Sequence, residues 1–223
     1  MLFRSCCYSS PLETPALDAE RESIQMQKER ISSKTGTNQR ITNIIVLMLE
    51  NRSFDHLLGW LKTDSKLPID GLTPGMSCPM NPDIPESKQI PLQRGGYDIA
   101  PDDPNHDYEH TLLQINEGKM DGFIIDAQSS NLNYTNTINM FDRNTAPIIN
   151  TLAEEYAVFD QWFCSIPGPT DPNRQFAMSG TSLGSTTNFN GTLYPQQSYF
   201  DYLRVNGNTF AGYYQTDRWV LGY

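Results

Sequence analysis

Hydrophobic and polar positions change period several times along this chain. Residues 41–49 (ITNIIVLML) form a nearly continuous, β-branched apolar run that stops at Glu50-Asn51. Such a run predicts a strand buried on both faces, as in a parallel sheet. Ser53 follows as a helix cap, and residues 54–61 have the apolar spacing of a short helix. Residues 64–104 hold eight prolines and little periodicity, which predicts a long irregular excursion. Asp103-Pro104 reads as a cap-and-proline start for a helix that reaches Glu117 and stops at Gly118. Met120 to Ile125 reads as a buried strand or loop. Residues 145–156 predict another helix, residues 158–166 (VFDQWFCSI) a strand, and Pro167-Gly168-Pro169 a turn. A helix from Asp171 or Pro172 to Ser182, a loop over 184–197, a helix over 199–205 and a strand over 209–214 complete the pattern.

Strands and helices alternate, so the predicted class is α/β, with a mostly parallel central sheet flanked by helices. The first 40 residues differ. Residues 15–32 are rich in helix formers, but their apolar residues (Leu17, Ile24, Met26, Ile31) are sparse, and residues 33–40 (SKTGTNQR) look like a linker. The expected organisation is a tail with a weakly packed helix and linker over 1–40, and a folded domain over 41–223.

Composition then removes whole classes. Of the 223 residues 38% are hydrophobic, enough for a sizeable core, and the formal net charge is −10. The acidic balance argues against nucleic acid as a partner, because counterion displacement needs a dense cationic face. The longest uninterrupted apolar run, 44–49, is far shorter than the about 20 residues of a bilayer span, so no transmembrane helix is predicted. Residues 1–13 lack the continuous apolar stretch of a secretory signal. A cytoplasmic location with transient peripheral membrane contact is therefore expected. Cys6, Cys7, Cys78 and Cys164 lack C-x-x-C spacing, so neither a zinc knuckle nor a disulfide framework is indicated. Cys6-Cys7 beside Arg4 is a weak lipidation signal, and two free thiols on a tail are the plainer reading.

Candidate chemistry gathers at two places beyond predicted strands, where sites form in open α/β sheets. Glu50-Asn51 ends the first strand, and a carboxylate beside an amide oxygen suits a hard divalent cation. Thr170 follows the 158–166 strand at a helix start, where backbone N–H groups and the helix dipole favour an anion such as phosphate. Asn173 and Arg174 add donors one turn on, and a guanidinium can grip phosphate in two places at once. Together these residue types suggest a metal-activated hydroxyl nucleophile attacking a phosphorus ester. Taken singly, Glu-Asn after a strand is more often a surface turn, and Thr before Asp-Pro a plain cap.

In order along the chain, Glu50-Asn51-Arg52-Ser53-Phe54-Asp55-His56 with Gly59-Trp60, Asp103-Pro104-Asn105-His106, Met120-Asp121-Gly122-Phe123, Thr170-Asp171-Pro172-Asn173-Arg174 and Ser179-Gly180-Thr181-Ser182 form a series of blocks. This series resembles the phosphoesterase family that contains the bacterial phosphatidylcholine-type phospholipases C, the plant non-specific phospholipases C and a group of bacterial acid phosphatases. The resemblance covers about residues 41–223. It implies an alkaline-phosphatase-like α/β sandwich, with Glu50 and Asn51 as metal ligands and Thr170 as a nucleophile that also binds the metal. It implies that His106 lies near the phosphoryl group as donor or leaving-group acid. Arg174 would order the active-site loop or touch phosphate, and Asn173 and His106 would contact substrate. The implied cofactor is a divalent metal cation; oxygen ligands favour calcium, magnesium or manganese, and zinc occurs in the wider superfamily. The implied substrate is a phospholipid, cleaved to diacylglycerol and a phosphorylated head group. Family members are considerably longer and place further acidic ligands in their later half, so the chain reads as an N-terminal fragment or truncated product, incomplete at its C-terminus.

Other readings stand beside this one. Soluble phosphomonoesters are the alternative substrate, as for an acid phosphatase. A non-catalytic paralogue binding phosphorylated head groups is the non-enzyme alternative. His106-Asp107-Tyr108-Glu109-His110 fits H-x-x-E-H, the inverted zinc-peptidase pattern, which requires both histidines on one helix face. Gly180-Thr181-Ser182-Leu183-Gly184 fits G-x-S-x-G, but a helical stretch precedes the serine and every histidine lies before it, so a helix end with a small-residue turn is expected.

Overall fold

The computed structural model describes residues 41–49, 52–99, 102–188 and 194–213. The chain divides into two units between Met48 and Leu49, and residues 41–48 belong to the smaller one. Over 41–49 there is no regular secondary structure, and Ile41, Ile44, Ile45, Val46, Leu47 and Leu49 are all exposed. The buried strand expected there is not formed. Strand backbone is stable only when its N–H and C=O groups pair with a neighbour, and a parallel neighbour comes from a distant crossover.

In the larger unit, helix α1 (Phe54–Leu58) starts where the sequence places it. Ser53 has extended backbone and its hydroxyl accepts the His56 N–H. The helix breaks at Gly59 and resumes as α2 (Leu61–Asp64). Gly59 is required there: a Cβ would sit 2.5 Å from the Asp55 carbonyl oxygen and 2.6 Å from Leu72 Cγ. The proline-rich excursion is less irregular than expected. Strands β1 (Ser77–Pro79) and β2 (Gln89–Pro91) pair antiparallel, Cys78 opposite Ile90, both facing inward. Strand β3 (Gln93–Arg94) pairs in parallel with β4 (Asn139–Met140) over two residues. Helices and two small sheets thus make up the described residues, and the predicted central parallel sheet is not among them.

Helix α3 (Tyr108–Ile115) begins later than expected. Asp107, not Asp103, caps it by accepting the His110 N–H, and residues 103–106 stay outside as a loop. Residues 120–125 correct the strand-or-loop reading. Gly122 leads into helix α4 (Phe123–Ser129), where helical spacing turns Ile124 and Ala127 inward. Gly122 lets α4 approach α3, since a Cβ there would lie 2.0 Å from the Leu113 carbonyl oxygen. Cys78, Ile90, Ile124 and Ile138 form one core cluster, and Ile138 comes from α5 (Thr135–Ile138). Trp60, Leu72 and Met140 form a second, and Leu92 packs on both.

Helix α6 (Pro147–Glu155) packs against α1, and the Asn150 side chain donates to the Leu57 carbonyl. Residues 158–166 are another correction. They are irregular, with Phe159, Trp162 and Phe163 exposed rather than packed in a strand. Helices α7 (Thr170–Ser179) and α8 (Tyr199–Val205) follow, and Ser198 and Asp201 close a capping box on α8. Residues 209–213 carry no strand; residue 214 and the predicted tail helix and linker lie outside the described residues. Among the described residues no helix is long and apolar enough to cross a membrane.

Candidate active site

Thr170 occupies the first position of α7, half-buried, and the loop before it is held by one side chain. Asn173 is 1% exposed. Its amide oxygen accepts the Ser165 and Ile166 N–H groups at 3.0 and 3.3 Å. Its amide nitrogen lies 3.2, 3.0 and 3.1 Å from the Ile166, Gly168 and Pro169 carbonyls. A single amide thereby satisfies a loop that forms no ladder of its own. The sequence expectation put Asn173 on the substrate; here all its donors and its acceptor face the loop. The helix terminus is also less open to an anion than a bare one. The Asp171 N–H donates to Asn188 Oδ1 at 3.0 Å, and Pro172 has no N–H.

The Asp-Pro-Asn-His loop lies beside it. Asp103, Asn105, His106, Asp107, Pro169 and Asn188 all line one polar cleft of about 260 Å³, so the residue before Thr170 and the His106 segment share a wall. His106 Nδ1 lies 2.9 Å from the Pro104 carbonyl. A carbonyl only accepts, so this contact puts the neutral ring's proton on Nδ1 and leaves Nε2 free to face a ligand's proton.

The loop is fastened at several points. Asp102 accepts the Asn133 N–H on its carboxylate at 2.7 Å and the Asn136 amide on its carbonyl at 3.1 Å. Asn105 donates to Ser130 Oγ at 2.8 Å and to both oxygens of Asp126 at 3.4 Å, while its carbonyl accepts from Gln114 at 2.7 Å. Asp126, 3% exposed on α4, also accepts from Gln114 at 2.7 Å and from His110 Nδ1 at 2.5 Å. The hydrogen bond to Asp126 is the main reason the His110 imidazole titrates above its ordinary value. Asp126, Gln114 and Asn188 were missed from the sequence. A carboxylate inside the apolar run Phe123-Ile124-Ile125-Asp126-Ala127 was the available signal for the first.

Glu50 and Asn51 lie outside the described residues, so their relation to Thr170 is not defined. Arg174 is half-buried on α7, one turn past Thr170. Among the described residues no group of three or more His, Cys, Asp or Glu side chains gathers as a metal cluster. The H-x-x-E-H reading fails on geometry. His106 precedes α3, so it does not share a helix face with His110, whose Nδ1 is taken by Asp126. G-x-S-x-G also lacks its elbow. Gly180 is a left-handed C-cap (φ 75°) ending α7, and Ser182 is buried in the turn that follows. His56, buried in α1, is pushed down to about 4 by burial and by the neighbouring Arg52 guanidinium.

The family is shown by sequence. The profile of the Phosphoesterase family matches residues 41–220, and this chain belongs to that family. Non-specific phospholipase C6 of Arabidopsis thaliana is 40% identical over 193 residues, 82% of this chain and 36% of that protein. Non-specific phospholipase C1 of the same plant is 38% identical, covering 78% of this chain and 34% of the relative. The hemolytic phospholipase C of Pseudomonas aeruginosa is 27% identical over 165 residues, 68% of this chain and 20% of its own. The chain spans only about a third of the length of the curated relatives it matches.

Proposed function

We propose that this chain takes part in hydrolysis of phosphoric esters, of the phospholipase C type, with Thr170 as nucleophile and His106 as the acid for the leaving group. The observation that supports this most is the cleft in which the Asn173-held loop, ending at Thr170, meets the His106 segment. Phospholipase C activity is what the names of the relatives state for them.

In this reading Thr170 Oγ1, its proton lost to water, attacks phosphorus, and the diacylglycerol oxygen leaves with the Nε2 proton of His106 in its imidazolium form. Water then cleaves the phosphothreonine, the imidazole accepts its proton, and the phosphorylated head group departs. Arg174 neutralises charge on the phosphoryl oxygens or orders their loop. Glu50, Asn51 and Thr170 offer only oxygen donors, which fits a hard divalent cation such as calcium, magnesium or manganese. Bound there, it would screen the phosphoryl charge and lower the pKa of the Thr170 hydroxyl. The alkaline-phosphatase-like sandwich with its parallel sheet belongs to the same proposal. So do the tail over 1–40, the cytoplasmic location and the peripheral membrane contact.

The test is release of phosphorylated head group from phosphatidylcholine, and of p-nitrophenol from its phosphate, by the chain and by Thr170→Ala, with and without chelator. The expected result is a loss of about a thousandfold or more with Thr170→Ala, and a matching loss with chelator. Release insensitive to the substitution would remove Thr170 as nucleophile. A preference for p-nitrophenyl phosphate would move the substrate to soluble phosphomonoesters.

A further inference from the structure

We propose that Asp126 is a positioning residue that sets the ring of His106. The proposal rests on the reading of His106 as leaving-group acid. Asp126 never reaches the cleft itself. It is 3% exposed, between Ile124 at 0% and Ala127 at 2%, in the helix face that forms the core. A carboxylate there loses its hydration, and only hydrogen bonds offset that loss. Apolar contacts alone would pack α4 against α3, and replacing a buried charged group by an apolar one often leaves a fold as stable or more so. The carboxylate therefore calls for a role other than holding two helices together.

Its partners supply that role. Gln114 Nε2 stands 2.7 Å from Asp126 Oδ2 and 2.7 Å from the Asn105 carbonyl, bridging the two. The Asn105 amide lies 3.4 Å from each Asp126 oxygen and 2.8 Å from Ser130 Oγ. His110 Nδ1 closes the group at 2.5 Å, fixing the first turn of α3 just past the loop. Asn105 is thus held at both ends of its polar inventory, and it is the residue directly before His106. The His106 ring in turn leans on Pro104, directly before Asn105, through the 2.9 Å contact at Nδ1. Turning the peptides around Asn105 would break that contact and release the ring's tautomer.

The chain holds three histidines, His56, His106 and His110, so its imidazole nitrogens can be assigned by NMR one substitution at a time. In the full chain, at a pH where the ring is neutral, His106 is expected to carry its proton on Nδ1, so that Nε2 is the nitrogen that gains and gives the second proton. In Asp126→Asn it should relax to a mixture rich in the Nε2 form that imidazole prefers in water. Gln114→Leu cuts the bridge while leaving the carboxylate in place, and should do the same; it serves if Asp126→Asn does not fold. A neutral-ring tautomer of His106 unchanged in a folded variant, or a neutral ring protonated on Nε2 in the unsubstituted chain, would overturn the proposal.

Activity supplies the second readout. Loss of a leaving-group acid slows an alkyl phosphate far more than p-nitrophenyl phosphate, whose leaving group needs no proton. Asp126→Asn should therefore lower kcat for the alkyl ester at least about tenfold more than for the aryl ester, in the same sense as His106→Ala. Equal losses on both esters by Asp126→Asn, beside unequal losses by His106→Ala, would make Asp126 merely structural. Equal losses by His106→Ala itself would sink the acid reading, while the tautomer measurement would still decide what Asp126 does.

Discussion

Two stretches of similar apolar content behave in opposite ways. Residues 123–127, Phe-Ile-Ile-Asp-Ala, bury Ile124, Asp126 and Ala127 and nucleate a core with β1, β2 and α5. Residues 158–166, Val-Phe-Asp-Gln-Trp-Phe-Cys-Ser-Ile, leave Phe159 at 70% and Trp162 at 66% exposure, beside an apolar cleft of about 450 Å³ between α1 and α6. The first stretch finds its partners nearby in sequence: α3 precedes it and α5 follows within a few residues. The second has only the extended form its residues favour, and an extended chain without a neighbour leaves its backbone unpaired. Apolar sequence predicts a wish for burial; it does not supply the surface.

Mutations test that contrast in descending order. Ile124→Ala should destabilise the chain by about 4 kcal/mol, read as a lower denaturant midpoint, because a fully buried branched side chain leaves a cavity. The His56 effect comes next. Its folded value of about 4 lies below the ordinary 6.5, so the folded state favours the neutral ring. Stability is then full above pH 6.5 and is lost as pH falls from 6.5 to about 4, on the order of 3 kcal/mol in all. His56→Gln should flatten that limb in a pH series of thermal melts. His110 acts in the opposite sense: its raised value contributes stability at low pH that fades as pH rises through it. Gly122→Ala should cost about 2 kcal/mol, as the added methyl group forces α4 off the Leu113 carbonyl. Trp162→Ser should change stability by no more than about 0.5 kcal/mol while reducing binding of an apolar dye. A loss as large as that of Ile124→Ala would dissolve the contrast between the two stretches.

Much was legible where cause and effect are close in sequence. Ser53 as cap, a helix within 145–156 and the whole of α8 follow from local backbone chemistry, whereas α7 ends at Ser179, three residues before the expected Ser182, because Gly180 takes the left-handed cap. Helix α3 shows the limit. Asp103-Pro104 and Asp107 are both acceptable starts by local rules, and the later one is used. Asn105 holds the earlier segment in a loop through Asp126, 21 residues away. Asn173 shows the same in the site. Its residue type suggested a substrate donor, and the structure spends it on five contacts to the loop before Thr170.

The sequence by itself determined the ordered blocks, and with them the family and the kinds of groups available: carboxylate and amide at Glu50-Asn51, hydroxyl at Thr170, imidazole at His106, guanidinium at Arg174. Those are chemical identities, and they need no fold to be read. Tertiary structure alone decided that His106 and the residue before Thr170 share a cleft, which amide holds a loop, and that a carboxylate in a helix of the core binds Asn105, His110 and Gln114. Hydrogen bonds and close packing act between atoms a few ångströms apart, and only folding brings residues so distant in sequence to that range.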